Sequence, residues 1–315
     1  MSIKNILITG ITGFIGYHLI QDLLNKDYFI HGVSRFIPDT YKANLSKHKN
    51  VFLYDCDLTN SDDVFKKIGQ IKFDYVFHLA ADNRNRHTDI PSINIYKTNI
   101  IGTINIIETI MPKSPKCLFC FTSSLERVKD NYGPFNPYHI SKTTVEMIIS
   151  SYIQNNNLNA IILKLNNIYG PADQNWNRLI PSIFRSIYSN SQLNLSLSKN
   201  HEFNFLFVTD LISLFIQILN TPLQKFNKAN FFIVKSKENL TLQNILTSIS
   251  TLFYLKKLPL ITYSPVNKKN RLINLNEVKP ITAIFPSWKE AFTFNTGIKT
   301  TKEWYASLKK TTPNV

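Results

Sequence analysis

A tyrosine and a lysine four residues apart, Tyr138 and Lys142, have the types and the spacing that proton transfer requires. They stand at the start of a segment predicted to be a long helix, from Pro137 to about Gln154. Residues four apart share one helical face, so the ammonium is expected beside the phenol. A neighbouring positive charge lowers the tyrosine pKa from its usual value near 10 and prepares the phenol for acid/base work. The spacing by itself does not exclude the alternative that Tyr138 and Lys142 are exposed side chains with no catalytic role.

Hydroxyl and carboxyl groups precede this helix, at the end of an apolar strand predicted over 117–122. Ser124 and Glu126 follow the strand, at the edge where parallel sheets bind their ligands. Glu126 in apolar surroundings would have a raised pKa and could act as an acid or base. Facing Arg127, Lys129 or water, it would stay ionised and contribute little. The charged run that contains Glu126 favours the solvated alternative.

Three of the nine glycines of the chain, Gly10, Gly13 and Gly16, stand between an apolar strand and an amphipathic segment. A strand, a glycine turn and a helix N-terminus form a cradle for a pyrophosphate. The first glycine allows the tight turn, the second lets phosphates approach the backbone, and the third lets the helix pack closely. The alternative is a structural turn between a core strand and a core helix.

The second predicted strand, 29–34, ends at Ser34 and Arg35, where an adenosine ribose would lie. An acidic side chain at this point would hold a free 2′-hydroxyl, and neither residue is acidic. Serine and arginine favour a 2′-phosphate, so the sequence predicts NADP, with NAD as the second possibility. A solvated surface arginine is the alternative interpretation.

Strands and helices alternate five times before residue 125, which predicts an α/β fold with a Rossmann-type, doubly wound parallel sheet. The fourth strand, 75–79, ends in Ala80 and Ala81, whose small side chains leave space for a flat ligand. His78 lies inside this apolar strand and is interpreted as a core histidine. Cys117 and Cys120 are likewise interpreted as core residues of the fifth strand.

The length, the net charge and the cysteine content of the chain indicate its number of domains, its partners and its compartment. A chain of 315 residues predicts one large domain and a smaller one. The net charge is +15, but the basic residues are scattered, so we expect anionic small molecules rather than nucleic acid as partners. No apolar run approaches the roughly 18 residues of a membrane span, and we expect no signal peptide before the first strand. Three cysteines suit a reducing compartment. We therefore expect a cytoplasmic protein without membrane partners or a metal site.

The series of motifs resembles the extended short-chain dehydrogenase/reductase superfamily, in its nucleotide-sugar epimerase/dehydratase branch. The match runs in order along nearly the whole chain. The residues that carry it are Thr9-Gly10-x-x-Gly13-x-x-Gly16, Asp57-Leu58, His78-Leu79-Ala80-Ala81, Asn99, Ser123-Ser124, Tyr138-x-x-x-Lys142, Asn166-Asn167-Ile168-Tyr169-Gly170-Pro171, Asn177-Arg178-Leu179-Ile180-Pro181, Phe205 to Leu211 and Thr296 to Tyr305.

The resemblance implies a role for each matching residue. Tyr138 would be the acid/base, Lys142 would lower its pKa and bind the nicotinamide ribose, and Ser124 would bond the reacting sugar oxygen, with Glu126 as a further catalytic candidate. Ser124, Asn167, Asn177 and Arg178 would bind substrate. The cofactor would contact Gly10, Thr12, Gly13, Phe14, Ile15, Gly16, Ser34, Arg35, Asp57, Leu58, Leu79, Ala80, Ala81, Asn99, Tyr138 and Lys142.

The resemblance also implies two discontinuous domains and a homodimer. Residues 1–165 and 205–235 would bind the cofactor, and 166–204 and 236–315 would form the smaller substrate-binding domain. The dimer would pair through helices, including the one after Tyr138. One departure concerns Phe203, which stands where the family often has an arginine that clamps a substrate phosphate.

The sequence therefore predicts an NADP-dependent enzyme that acts on a nucleotide-activated sugar, with 4-keto reduction as the preferred reaction. A nucleotide-sugar epimerase and a 4,6-dehydratase are the alternatives, the second with Glu126 as acid/base. Dehydratases of the family commonly have an aspartate before that glutamate, and this chain has Leu125. A non-catalytic nucleotide-binding protein of the same fold is the remaining hypothesis.

Overall fold

The computed structural model describes residues 3–83, 92–125, 136–195, 197–226, 230–255, 261–263 and 278–311. The strands are β1 Lys4–Thr9, β2 Tyr28–Ser34, β3 Val51–Asp55, β4 Tyr75–His78, β5 Leu118–Ser124, β6 Ala160–Leu165, β7 Asn167–Tyr169, β8 Leu193–Leu195, β9 Glu202–Phe203, β10 Phe205–Phe207, β11 Asn230–Val234, β12 Leu240–Thr241, β13 Ile261–Tyr263 and β14 Lys279–Pro280. The helices are α1 Phe14–Leu23, α2 Asp39–Leu45, α3 Ser61–Ile68, α4 Ser92–Tyr96, α5 Gly102–Ile110, α6 Pro137–Asn156, α7 Leu179–Ser189, α8 Val208–Leu219, α9 Leu242–Leu252 and α10 Phe294–Thr311.

Within the described residues, eight strands form one parallel sheet in the order β14-β11-β6-β5-β4-β1-β2-β3. The chain winds outward from β1 to β3, returns to β4, and then winds in the opposite direction through β5 and β6. This reversal between β1 and β4 is the switch point at which such sheets bind ligands. The predicted α/β fold with a doubly wound parallel sheet is confirmed.

Alternating side chains of the central strands cover both faces of this sheet. Val76 of β4 belongs to the core cluster that also holds Phe119 of β5, Ile107 of α5 and Val145 of α6. The next residue of β4, Phe77, has its ring 5.0 Å from the ring of Phe215 in α8. Successive residues of a strand point to opposite faces, so helices pack on both sides.

The described chain divides into two compact units. The first comprises 1–165, 215–234 and 273–286, and the second comprises 166–214, 235–272 and 287–315. The units differ from the expected domain boundaries in two places. Residues 205–214 belong to the second unit, where β10 pairs in parallel with β7. Residues 273–286 belong to the first, where β14 pairs with β11. The cofactor and substrate assignments of the two parts stay predictions.

The second unit has its own core, built from α7, α9, α10 and short strands. Aromatic rings fill much of it: the ring of Phe184 lies 4.8 Å from that of Tyr305, nearly parallel. Gly297 of α10 lies against Tyr169, whose hydroxyl oxygen would be 2.2 Å from an added Cβ. None of the described helices is long and apolar enough to cross a membrane.

Candidate active site

The glycine turn joins β1 to α1 through three close backbone approaches. Gly10 has φ +71° and an added Cβ would lie 2.8 Å from the backbone nitrogen of Ala80. The Gly13 N–H donates to the Gly10 carbonyl at 2.9 Å. At Gly16, an added Cβ would lie only 2.3 Å from that same carbonyl oxygen. Glycine is therefore required at Gly10 by conformation and contact, and at Gly16 by contact.

The end of β2 is bonded to this turn. The backbone N–H and the hydroxyl of Thr12 both donate to the Ser34 hydroxyl oxygen, at 3.3 and 3.0 Å. Ser34 is buried, and Arg35 beyond it is exposed. Asp55 lies opposite Ser34 in the sheet, and its carboxylate is 2.5 Å from the Lys42 ammonium. The hydrogen bond from Lys42 is the largest influence on Asp55 and lowers the pKa of that carboxyl.

The other predicted cofactor residues lie along the same edge of the sheet. The Asp57 carboxylate accepts two bonds from Thr59, and Leu58 is buried against Gly102. At the end of β4, the Ala80 N–H donates to the Thr9 hydroxyl at 3.2 Å. Leu79, Ala80 and Ala81 are each half-buried.

Lys142 is almost completely buried, at 4% exposure, one turn after Tyr138. Its ammonium donates to the Thr122 carbonyl of β5 at 2.8 Å. It also lies 4.6 Å from the ring centre of Phe121 and 5.9 Å from that of Tyr138. Burial lowers the pKa of Lys142 to about 7, and the charge of Glu146 opposes this shift. A lysine with this pKa can exchange a proton near neutral pH.

Local hydrogen bonds fix the start of α6, where Tyr138 lies. The Asn136 side chain caps the helix by accepting from the Tyr138 N–H at 2.9 Å, and Pro137 is the first helical residue. Both features are typical of helix N-termini. Ser124 is the last residue of β5 and is half-buried. Glu126, the other catalytic candidate, lies outside the described residues.

Asn99 lies on a π-helical turn, Lys97–Ile101, and its side chain bonds to protein groups. Its amide oxygen accepts from the Asp82 N–H at 2.7 Å. Its amide nitrogen donates to the Asp82 carbonyl at 3.0 Å and to the Ser141 hydroxyl at 2.8 Å. Ser141 in turn donates to the Tyr138 carbonyl at 2.7 Å. The side-chain amide of Asn99 thus joins the loop after β4 to the first turn of α6.

His78 is a buried neutral histidine with both ring nitrogens bonded. Its Nδ1 is 2.8 Å from the Thr9 hydroxyl, and its Nε2 is 2.8 Å from the Thr103 hydroxyl. Thr103 donates its own proton to the Asn99 carbonyl at 2.6 Å. The Nε2–H must therefore donate to Thr103, and Nδ1 accepts from Thr9. His78 belongs to the core, as the sequence indicated.

Two buried histidines predict that the protein loses stability as the pH falls below about 6.5. Burial lowers the pKa of His78 to about 3, with a smaller effect of Lys142, and burial lowers that of His31 to about 4. Both therefore bind protons more readily in the unfolded chain. Their stabilisation is complete above pH 6.5 and is lost as the pH falls towards the lowered values, at a cost of about 2 kcal/mol per histidine by pH 5.

The measurement is the free energy of unfolding in urea at neutral pH and at about pH 5. The His31 ring is nearly parallel to the rings of Phe52 and Tyr54, and its Nδ1 is 3.1 Å from the Tyr54 hydroxyl oxygen. His31→Phe keeps the ring and removes the titration, so it should lose about half of the pH dependence while being less stable at neutral pH. An unchanged pH dependence would contradict the assignment.

Of the four predicted substrate residues, Ser124 belongs to the first unit, and Asn167, Asn177 and Arg178 belong to the second. Asn167 begins β7, and the Asn177 N–H donates to the Asn175 side chain at 3.2 Å. Arg178 forms an ion pair of 3.2 Å with Asp173, which is 2% exposed. Burial raises the pKa of Asp173, and Arg178 opposes the rise.

Phe203, in place of the family arginine, is part of an aromatic row. Its ring centre is 5.5 Å from that of Phe205 and 4.8 Å from that of His201. Phe203 therefore contributes ring contacts within the second unit. Its side chain carries no charge that could hold a substrate phosphate.

Sequence reasoning missed one buried polar cluster beside Lys142. Glu146 of α6 accepts from the Ser123 hydroxyl and from the Lys164 ammonium, both at 2.5 Å. Two signals were present in the sequence: Glu146 follows Lys142 by four residues, and Lys164 interrupts the apolar run of β6. A lysine within a buried strand needs an anionic partner.

The comparisons with known proteins agree with this architecture. The model of the NAD-dependent epimerase/dehydratase family matches residues 6–233. The chain is similar to the dTDP-D-glucose 4,6-dehydratase of Dictyostelium discoideum, with 29% identity over 243 residues, 69% of this chain and 56% of the relative. It is also similar to an Arabidopsis thaliana trifunctional protein, named UDP-glucose 4,6-dehydratase/UDP-4-keto-6-deoxy-D-glucose 3,5-epimerase/UDP-4-keto-L-rhamnose-reductase. There the identity is 24% over 323 residues, 96% of this chain and 47% of the relative.

The chain thus spans about half the length of these two relatives. Among solved structures, the dTDP-glucose 4,6-dehydratase of Bacillus anthracis in complex with NAD has a TM-score of 0.79 at 23% identity. That likeness covers 98% of each chain and shows a shared fold.

Proposed function

Because the chain belongs to the NAD-dependent epimerase/dehydratase family, we propose that it binds a nicotinamide dinucleotide and catalyses an oxidation or reduction on a nucleotide-activated sugar. The observation that carries this proposal is the pair Tyr138 and Lys142. The lysine is buried at the carboxyl end of β5, it is bonded to Thr122, and its pKa is lowered to about 7. A structural surface pair would have neither the burial nor the shift.

The glycine turn fits the pyrophosphate of such a cofactor. Among the described residues, an added Cβ at Gly13 would meet only the Gly10 carbonyl oxygen within 4 Å, so the backbone there is open to a ligand. The first turn of α1 carries no acidic side chain that would repel phosphate. Helix N-termini attract anions through their backbone N–H groups. Gly10, Gly13 and the start of α1 would hold the pyrophosphate.

The bound cofactor would supply or accept a hydride, and the residues of this chain would move the proton. Tyr138 would donate a proton to the sugar oxygen during reduction of a ketone and remove it during oxidation of the alcohol. Lys142 would stabilise the phenolate that the donation leaves. Ser124, at the end of β5, would bond the same sugar oxygen and orient it.

For the specific reaction we propose 4-keto reduction with NADPH as hydride donor. The support is the Ser34–Arg35 end of β2 and the absence of an aspartate before Glu126. The 4,6-dehydratase and the epimerase are the second candidates, because these activities stand in the names of the relatives.

Cofactor stoichiometry separates these reactions. A reductase consumes one NADPH per product, whereas a dehydratase or an epimerase returns its cofactor unchanged. The experiment supplies nucleotide-activated 4-keto sugars and the parent sugars separately and follows NADPH absorbance and product mass together. Formation of a 4-keto-6-deoxy product without net NADPH use would establish the dehydratase.

We expect Arg35→Ala to weaken NADPH binding by about tenfold and NADH binding by less than about twofold. Arg35 is exposed beyond β2, and the nearby carboxylate of Asp55 is already paired with Lys42. The guanidinium is therefore available to a 2′-phosphate, which only NADPH carries. Dissociation constants from fluorescence titration provide the measurement. Lys66→Ala, which removes an exposed charge from α3, controls for net charge. Equal binding of both cofactors by the parent protein would refute the NADP preference.

A homodimer remains part of this proposal. Ile93, Ile101 and Met147 are large apolar residues exposed on α4, the π-helical turn and α6. These three elements pack against one another within the first unit. A second copy of the chain would remove these side chains from water.

A further inference from the structure

Glu146 belongs to a buried cluster of charged side chains, together with Lys142 and Lys164. One carboxylate oxygen accepts from the Ser123 hydroxyl at 2.5 Å, and the other accepts from the Lys164 ammonium at 2.5 Å. The Glu146 and Lys164 side chains are 11% and 5% exposed. Three elements meet at this carboxylate: α6, β5 and β6.

In the part of the chain that the structure describes, the cluster contains two buried cations, Lys142 and Lys164, and one anion, Glu146. Lys164 has the Glu146 carboxylate at 2.5 Å and the ring of Phe231 at 5.6 Å. Lys142 has the Thr122 carbonyl and the ring of Phe121, which are uncharged partners. A buried ammonium is costly unless an anion compensates it. Glu146, one helical turn from Lys142, is the negative charge placed to do so.

The other groups that face Lys142 do not supply this charge. Tyr138 is on the same helix, and its ring lies 5.9 Å away. His78 on β4 is neutral, with a pKa lowered to about 3. Lys164 on β6 is a further cation. Among the described groups, the Glu146 charge is the one that raises the pKa of Lys142 against the effect of burial.

Glu146 also links the two elements that carry the chemistry. Ser123 directly precedes Ser124 at the end of β5, and Glu146 follows Tyr138 and Lys142 on α6. The Ser123–Glu146 bond therefore fixes the end of β5 against the helix. Lys142 makes a second link to β5 through Thr122.

We propose that Glu146 is a positioning residue of the active site, whose carboxylate keeps Lys142 charged and holds the end of β5 in register with α6. This inference rests on the function proposed above for Tyr138 and Lys142. The alternative is an ion pair with Lys164 that only stabilises the fold.

The test is Glu146→Gln, which keeps one acceptor oxygen for the Lys164 ammonium, turns an amide N–H towards the Ser123 hydroxyl and removes the charge. Loss of the charge makes Lys142 lose its proton at lower pH. Since the charged lysine supports Tyr138, the alkaline limb of the kcat profile for NADPH-dependent reduction should move down by about one pH unit. The substrate KM should change little. Glu108→Gln is the matched control, because Glu108 of α5 accepts from Tyr152 on the exposed side of α6.

A second measurement uses unfolding and does not depend on turnover. Glu146→Gln is made in the parent and in a Lys142→Met background, and the free energies of unfolding at neutral pH form a double-mutant cycle. A smaller loss of stability in the Lys142→Met background shows that the two residues are coupled. Equal losses, together with an unmoved alkaline limb, would overturn the proposal and leave a structural ion pair.

A failure of the proposal for Glu146 can be distinguished from a failure of the proposed function. If the parent turns over no nucleotide sugar, the proposed function fails, and the unfolding cycle still decides the coupling of Glu146 to Lys142. If Glu146→Gln does not fold because Lys164 is left buried and unpaired, Glu146→Gln with Lys164→Met removes both charges. The alkaline limb of that variant should move in the same direction, and a limb at the parental pH would overturn the proposal.

Discussion

Replacing Tyr138 by phenylalanine is expected to lower kcat by about a thousandfold, equivalent to about 4 kcal/mol of barrier. The change removes the phenolic oxygen and keeps the ring that lies 5.9 Å from the Lys142 ammonium. Helix α6 should be unaffected, because Asn136 caps it through the backbone N–H of residue 138. NADPH affinity should therefore change by less than about twofold. Turnover and binding are measured on the same preparations.

Tyr152→Phe is the matched control for this prediction. It removes a phenolic hydroxyl from the same helix, where that hydroxyl bonds to Glu108 on the exposed side. Its turnover should equal that of the parent. Lys142→Ala should lower both turnover and cofactor affinity, because the lysine is proposed to serve both. Near-parental turnover of Tyr138→Phe would show that another group transfers the proton.

The first unit could be predicted from the sequence because its signals are local. The run Ile6-Leu7-Ile8 is continuously apolar, as is usual for a strand with both faces covered, and it lies within β1. Each of the next four strands is likewise a short apolar run followed by a helical segment. Alternation of this kind leaves few topologies other than a parallel sheet. The Tyr138–Lys142 spacing was informative for the same reason, since both residues belong to one helix.

The second unit was harder to predict because its strands are too short for a periodic pattern. β9 and β12 have two residues each and pair across about 38 positions of chain, Glu202–Phe203 with Leu240–Thr241. Two residues show no alternation. Asn204, directly after β9, is buried, and its side-chain amide donates to the Ser236 and Glu238 carbonyls at 2.8 and 2.9 Å. Such contacts depend on tertiary packing that the sequence does not reveal locally.

The candidate site shows the same division between local and long-range information. The residue types at Ser124, Tyr138 and Lys142 could be recognised in the sequence, but the hydrogen bonds and ion pairs of other predicted site residues could not. Asn99 was expected at the cofactor, and its side-chain amide bonds to Asp82 and Ser141. Arg178 was expected at the substrate, and it is paired with a buried aspartate. A side chain's availability depends on partners that other elements bring to it.

Gly16→Ala is expected to destabilise the fold by about 3 kcal/mol or more, whereas Gly13→Ala should mainly weaken cofactor binding. An added Cβ at Gly16 would lie 2.3 Å from the Gly10 carbonyl oxygen and 3.0 Å from the Ile11 Cα. Both neighbours are backbone atoms, so relief requires α1 to move away from the end of β1.

The two glycines are six and three residues from Gly10 in the same turn, so each substitution controls for the other. At Gly13 an added Cβ would be 3.1 Å from the Gly10 carbonyl oxygen, a contact that a shift of a few tenths of an ångström relieves. The added methyl group would instead occupy the open side, where we propose that the pyrophosphate lies. In urea unfolding, Gly16→Ala should therefore lose more stability than Gly13→Ala. In NADPH titration, Gly13→Ala should lose more affinity than Gly16→Ala. If Gly13→Ala binds NADPH like the parent protein, the pyrophosphate does not lie against that backbone, and the glycine turn serves only the packing of α1 on β1.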